Sequence, residues 1–139
     1  MTNLKEQYDS FNVVNNDLFL TLIDFFPHVT KIKYYHTLFT DCIKSNYRLA
    51  ARFFLTTVGP YYEQILNQDD EFFKLELNKQ NTTNVMEIII KEWDNMTNQQ
   101  KETIWFYLKR LLLMITNIED DYECDTNITK QACIDIFNT

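Results

Sequence analysis

Residues 97–117 read TNQQKETIWFYLKRLLLMITN, and this stretch decides the fold. Thr97 and Gln100 have the spacing of a capping box, in which a Ser or Thr and a later Glu or Gln begin a helix. Apolar side chains then recur at the spacing of a helix face. The main stripe is Ile104, Trp105, Leu108, Leu111, Leu112 and Ile115, and the other sides carry Phe106, Tyr107, Leu113 and Met114. A helix that is apolar nearly all round is buried on most sides, so we predict a central helix over 101–117.

The chain contains very few residues that interrupt helices. It has one glycine and two prolines in 139 residues, far below the average usage of about 7% and about 5%. Hairpin turns between strands depend on such residues. We therefore predict an all-α fold, a compact bundle of about six or seven helices around the helix at 101–117.

Length and composition fit one globular domain. The chain is 45% hydrophobic and 24% charged, and a chain of this length buries about two-thirds of its unfolded surface. From Glu119 the sequence becomes densely acidic, and Ile128, Ala132 and Phe137 then have the spacing of a short helix. We therefore predict a helical domain over 1–118 and, over 119–139, an acidic segment with a short C-terminal helix.

The net charge of −7 argues against partners that need a basic surface. Nucleic acids and anionic membranes both draw affinity from Lys and Arg. The longest apolar runs are far shorter than the roughly 20 residues of a membrane span. The first residues, MTNLKE, lack the basic start and apolar stretch of a signal peptide. We expect a chain that stays inside a cell and contacts neither nucleic acid nor membrane directly.

Three earlier segments also have helical periodicity. Pro27 ends the first near Phe26, and the weak helix formers at 13–16 predict that this segment consists of two helical pieces. Residues 30–43 and 49–58 follow, and Gly59 suits the left-handed position after a helix. The residues predicted to face the core in these two helices include Leu38, Phe39, Cys42, Phe53 and Phe54.

No residue pattern indicates catalysis, a metal or a cofactor. Cys42, Cys124 and Cys133 lack zinc spacing, and we expect free thiols, with a bridge between the last two only in an oxidising setting. His28 and His36 are two helical turns apart, too far for shared chelation. The acidic segment alternates as calcium loops do, but it lacks the turn glycine and a closing glutamate. We therefore expect no enzyme activity.

Two features suggest a surface for a protein partner. Asp69, Asp70 and Glu71 stand beside two phenylalanines, a combination found at protein-binding edges as well as on ordinary half-buried helices. The pairs of adjacent tyrosines at 34–35 and 61–62 each place one ring outward. Tyr34 and Tyr61 are therefore candidate partner-binding residues, together with the three acids.

Three blocks resemble small all-helical proteins of giant nucleocytoplasmic DNA viruses. The blocks are DLFLTLIDFFP at 17–27, ILNQDDEFF at 65–73, and Trp93 with IWFYL at 104–108. The abundance of Asn, Ile, Lys and Tyr is similar to the coding bias of mimivirus-like genomes. Members of that family have no assigned function, so the resemblance implies a viral factor of the host cytoplasm or virion and supplies no functional residues.

The chain is also similar in size, and in its apolar central helix, to the Bcl-2-like proteins of large DNA viruses. It lacks their Asn-Trp-Gly-Arg motif. Our leading hypothesis is a non-enzymatic interaction factor, a minor virion component or an adaptor, with a viral or host protein as its partner. The alternative is a host-directed inhibitor, which would need an open apolar groove for amphipathic helices. The sequence leaves the oligomeric state open.

Overall fold

The computed structural model describes residues 3–71 and 85–118. Within these ranges the regular structure is helical and contains no strand, which confirms the predicted all-α fold. The α-helices are α1 (Leu4–Phe25), α2 (Lys31–Ser45), α3 (Leu49–Thr57), α4 (Tyr62–Leu66), α5 (Val85–Glu92) and α6 (Asn98–Thr116). Short 3-10 turns precede α4, at Gly59–Tyr61, and follow α5, at Trp93–Asn95. The predicted C-terminal helix lies outside the described residues.

Helix α1 packs against three other helices of the bundle. It packs along α6 on one side and against α2 and α3 on others, while α4 also packs on α6. Phe11 and Leu22 of α1 are fully buried, as are Ile104, Leu108 and Leu111 of α6. The two longest helices therefore form the centre of the core.

The prediction of two helical pieces before Pro27 was wrong, because α1 is continuous from Leu4 to Phe25. Several residues in its middle have tertiary contacts that stabilise the helical form. Asn12 Nδ2 donates to the Tyr47 carbonyl oxygen at 3.0 Å, and Asn16 Oδ1 lies 2.6 Å from His36 Nε2. Val14 is buried in the core. Packing thus outweighs intrinsic helix propensity here.

Helix α6 begins as the sequence predicts. Thr97 Oγ1 accepts a hydrogen bond from the Gln100 backbone N–H at 3.1 Å. Gln100 Oε1 in turn accepts from the Thr97 N–H at 3.0 Å. Both bonds of the capping box are present, and they satisfy two donors that the first turn of a helix otherwise leaves unpaired.

The expectation that α6 is buried on most sides was wrong for one face. Phe106 is 56% exposed and Leu113 is 42% exposed, whereas the neighbouring Trp105 is 3% exposed. An apolar side chain on this outer face becomes buried only if another element of the chain crosses it. The apolar composition of a helix does not show whether such an element is present.

Gly59 does not take the left-handed conformation that the sequence suggests. Among the described residues the positive backbone φ belongs to Gln68, at 51°. Gly59 is buried and begins the 3-10 turn before α4.

Trp105 tests the importance of the α6 core. Its indole packs edge to face against Trp93, with ring centroids 5.3 Å apart. We expect Trp105→Ala to lower the free energy of unfolding by about 3 to 5 kcal/mol, because it deletes a large buried side chain. Phe106→Ala, one residue further along the same helix, should change it by less than about 0.5 kcal/mol. Urea denaturation measures both free energies of unfolding, and equal decreases in the two variants would contradict the assignment of Trp105 to the core.

Candidate functional site

An apolar cavity of about 260 Å³ lies between α2 and α3. Helix α1 forms its floor, and residues of α5 and α6 also line it. We call it the α2–α3 groove and define it by six lining residues: Leu18 on α1, Leu38 and Cys42 on α2, and Phe53, Phe54 and Thr57 on α3. Leu38 is 47% exposed and Phe53 is 55% exposed, so the groove opens to solvent between its two walls.

A short turn places α2 and α3 side by side. Three residues separate the helices, and Asn46 organises them. Its side-chain Oδ1 accepts from the Arg48 N–H at 3.0 Å, and its carbonyl oxygen accepts from the Leu49 N–H at 3.1 Å. Asn side chains commonly hold such turns in this way. The turn therefore sets the relative position of α2 and α3, the two helices that carry the walls of the groove.

Side chains one helical turn apart form each wall. Leu38 precedes Cys42 by four residues on α2, and Phe53 precedes Thr57 by four residues on α3; residues at this spacing lie on the same helix face. The small side chain of Ala50 also lines the groove. The Thr57 hydroxyl donates to the Phe53 carbonyl oxygen at 2.8 Å, which satisfies its proton within α3. No charged side chain is among the described residues that line the groove.

The prediction that Leu38, Cys42 and Phe53 face a filled core was wrong. All three lie on the predicted apolar faces, but Leu38 and Phe53 are exposed and Cys42 is half-buried. Periodicity identifies the side of a helix that is apolar. It does not specify whether a neighbouring helix approaches closely enough to fill the space.

Stacked aromatic rings form part of the groove lining. Phe19 and Phe39 both line it, and their rings are stacked with centroids 5.0 Å apart. The ring of His36 lies 5.5 Å from that of Phe19 and is held by Asn16. His28 is exposed beyond the end of α1. Within residues 3–71 and 85–118, no group of three His, Cys, Asp or Glu is placed to hold a metal ion.

Cys42 is the thiol of the groove. It is half-buried and free, and burial raises its pKa above that of an exposed cysteine. A raised pKa leaves less thiolate at neutral pH, so the group behaves as a small apolar side chain. Cys124 and Cys133 lie outside the described residues.

The five residues that the sequence suggested for partner binding do not line the groove. Tyr34 is 61% exposed on α2, one turn before Leu38, and its ring lies 5.8 Å from that of Tyr35. Tyr61 is half-buried and packs against the core. Tyr34 is therefore an exposed residue on the same helix as Leu38 and Cys42. Tyr61 contributes mainly to the packing of the core.

The three acids Asp69, Asp70 and Glu71 are exposed just after α4. This helix ends with Gln68 in the left-handed region, and the Asp69 N–H donates to the Gln64 carbonyl oxygen at 2.9 Å. That bond belongs to a Schellman motif, in which glycine usually follows the helix. Asp69 Oδ1 also accepts from the Glu71 N–H at 3.0 Å. One of the three carboxylates therefore has a structural role in the turn.

No protein-family model, curated protein sequence or solved structure matches this chain. Among the described helices, none combines the length and the apolar character needed to cross a membrane.

The reactivity of Cys42 tests its burial in the groove wall. In a Cys124→Ser, Cys133→Ser background, we expect iodoacetamide to modify Cys42 more slowly than free cysteine at pH 8, because burial raises its pKa and restricts access. The rate should keep rising above the pH at which the free thiol levels off. Mass spectrometry over a pH series measures this, and a reaction faster than that of free cysteine would be inconsistent with a shielded thiol.

Proposed function

We propose that this chain is a non-enzymatic protein–protein interaction factor, and that its α2–α3 groove binds an amphipathic helix of a partner protein. The observation that carries the proposal is an open apolar cavity with half-exposed Leu38 and Phe53 as its walls. An amphipathic helix that lays its apolar face into such a groove is a recurring mode of peptide recognition.

The size of the cavity fits side chains of a helix. Its volume is about 260 Å³, compared with the roughly 150 Å³ of an engineered cavity that holds benzene. It therefore admits one aromatic or two aliphatic side chains, but not a helix backbone. Two apolar residues one turn apart on a partner helix point to the same side. They would enter the cavity while the helix itself lies across the walls.

Exposure of the walls gives the binding a driving force. Complete burial of a Leu or Phe side chain is worth about 1.5 to 3 kcal/mol relative to exposure. Because Leu38 and Phe53 are about half exposed in the free protein, about half of this free energy is already gained when the chain folds. The remainder becomes available when a partner covers them, and large apolar anchors in a pocket dominate the affinity of many interfaces.

The chemistry of the lining supports binding rather than catalysis. Asn15, Tyr35, Cys42 and Thr57 contribute its polar groups, and an acid and a base in opposed environments are not present among the described lining residues. General acid–base catalysis requires such titratable groups within reach of one another.

Two biological settings agree with this proposal. In the first, the chain is an adaptor or minor virion component of a large DNA virus and binds another viral protein. In the second, it is a host-directed inhibitor similar to viral Bcl-2-like proteins. The open groove favours the second, because that function requires one. The missing Asn-Trp-Gly-Arg motif counts against it.

The groove residues have matched controls elsewhere on the surface. Phe53 and Leu38 in the groove are 55% and 47% exposed. Phe106 and Leu113 on α6 are 56% and 42% exposed and do not line the groove. The same substitutions at the two sites therefore remove similar exposed apolar area, and only one pair removes the walls.

Peptide binding to these four alanine variants tests the proposal. The probe is a fluorescein-labelled helix of about 18 residues with leucines on one face and an uncharged Gln and Ala polar face. We expect saturable binding by anisotropy, a loss of about tenfold or more for Phe53→Ala and Leu38→Ala, and unchanged affinity for Phe106→Ala and Leu113→Ala. Absence of saturable binding, or equal losses at both sites, would refute the assignment of the groove.

A further inference from the structure

The outer side of α1 carries apolar side chains that remain exposed. Val13 is 61% exposed and Leu20 is 49% exposed. They are seven residues apart, a spacing that places them on one helix face, two turns from each other. Single exposed apolar residues are common on protein surfaces. Two of them in line on one helix form a stripe that a partner can cover.

Exposed acids share this face of α1. We call the face the α1 outer stripe and define it by five exposed residues, Glu6, Val13, Asp17, Leu20 and Asp24. Their spacings of seven, four, three and four residues keep them on one side of a helix. Glu6 and Asp24 are 18 residues apart, which is about 27 Å along the helix axis. The spacings from Val13 to Asp24 are those of a seam between two packed helices.

The acids of the α1 outer stripe are not neutralised by α1 itself. The helix has four acids and one basic residue, Lys5, which pairs with Asp9 beside the stripe at 2.7 Å. Asp17 and Asp24 have no hydrogen bond or ion pair through their side chains in the part of the chain that the structure describes. Asp24 also lies in the last turn of α1, where the partial negative charge of the helix end repels it. A cation from a partner would remove this repulsion.

The α1 outer stripe faces away from the α2–α3 groove. The residues of α1 that line the groove are Asn15, Leu18 and Phe19. With 3.6 residues in each turn, Leu20 lies about 160° around the helix axis from Leu18. A partner on the stripe and a helix in the groove therefore do not compete for the same surface.

We propose that the α1 outer stripe is a second docking surface, and that its occupant is a basic amphipathic helix of another protein. Lysines or arginines of that helix pair with Glu6, Asp17 and Asp24, and its apolar residues cover Val13 and Leu20. Opposite charges across an interface speed association and select the partner. This surface is separate from the groove and does not depend on the function proposed for the groove.

The charge of the chain argues against a second copy, or its own C-terminal segment, as the occupant. A second copy brings a net charge of −7 to the interface. The segment 119–139 contains six acids and one lysine. Each would place further negative charge opposite the stripe, and like charges that face one another oppose association. A partner of opposite charge fits the stripe better than either.

Peptide binding to the full chain tests this proposal. The probe is a fluorescein-labelled helix of about 18 residues with leucines on one face and lysines on the polar face. A second peptide carries glutamates in place of the lysines. We expect saturable binding of the Lys peptide by anisotropy, at least about fivefold tighter than that of the Glu peptide at about 0.1 M salt. The difference should fall below about twofold at about 1 M salt, where charges are screened within about 3 Å.

Charge reversal on the stripe locates the binding. The double variant Asp17→Lys, Asp24→Lys should weaken binding of the Lys peptide by about fivefold or more at about 0.1 M salt, because two attractions become two repulsions. Asp41→Lys, Glu102→Lys makes the same change of net charge at exposed sites on α2 and α6, and it should change the affinity by less than about twofold. Circular dichroism checks that both variants fold. If the reversal does not fold, Asp17→Asn, Asp24→Asn replaces it, with Asp41→Asn, Glu102→Gln as its control.

The apolar part of the stripe has its own matched pair of variants. Leu20→Ala should weaken binding of the Lys peptide by about threefold, since it removes half-exposed apolar surface that the partner covers. Leu113 on α6 is exposed to a similar extent, 42% against 49% for Leu20. Leu113→Ala should therefore leave the affinity unchanged.

Three results would overturn the proposal. Equal losses in the two charge-reversed variants would assign the binding to net charge rather than to the stripe. A larger loss with Phe53→Ala than with Asp17→Lys, Asp24→Lys would place the Lys peptide in the groove. Absence of saturable binding of the Lys peptide would leave the stripe without its occupant. None of these results decides the function of the groove, which the uncharged peptide tests.

Discussion

The packing of α1 against α6 is the interaction on which the rest of the structure depends. Leu22 of α1 and Leu108 of α6 are fully buried within one core cluster. A hydrogen bond from Thr21 Oγ1 to the Tyr107 hydroxyl, at 3.3 Å, joins the two helices nearer to solvent. Leu18 and Leu108 also line the α2–α3 groove. The contact that stabilises the bundle therefore also builds the floor of the candidate site.

The groove lowers the stability of the free protein. Apolar atoms that line a cavity lose the dispersion contacts that close packing would give them. A small residue at position 50 and a three-residue connection between α2 and α3 maintain this space. Larger side chains could fill such a space at little structural cost. An unfilled apolar space beside exposed Leu38 and Phe53 is the feature on which the proposed binding function rests.

Much of the fold follows from the sequence because helix signals are local. The capping box at Thr97 and the stop at Pro27 each depend on a few neighbouring residues, and the structure has both. The continuity of α1 was missed because it depends on Asn12 and Asn16 finding partners 35 and 20 residues away. Gln68 was missed because glycine is the usual signal for its conformation.

The candidate site was predicted only in its parts. The sequence identified Leu38, Cys42 and Phe53 as members of apolar helix faces, and all three line the groove. It did not identify a cavity, since the gap between α2 and α3 depends on how each helix packs on α1.

The most direct measurement of the central claim is a methyl NMR titration of the full chain with the uncharged amphipathic peptide. We expect saturable shifts of the methyl groups that line the groove, those of Leu18, Leu38, Val58 and Met86. The methyl groups of Val13 and Leu113, exposed on other faces of the bundle, should remain unchanged. Shifts confined to Val13 and Leu113, or no saturable shift in any of the six, would contradict the claim that the α2–α3 groove is a binding site for a helix.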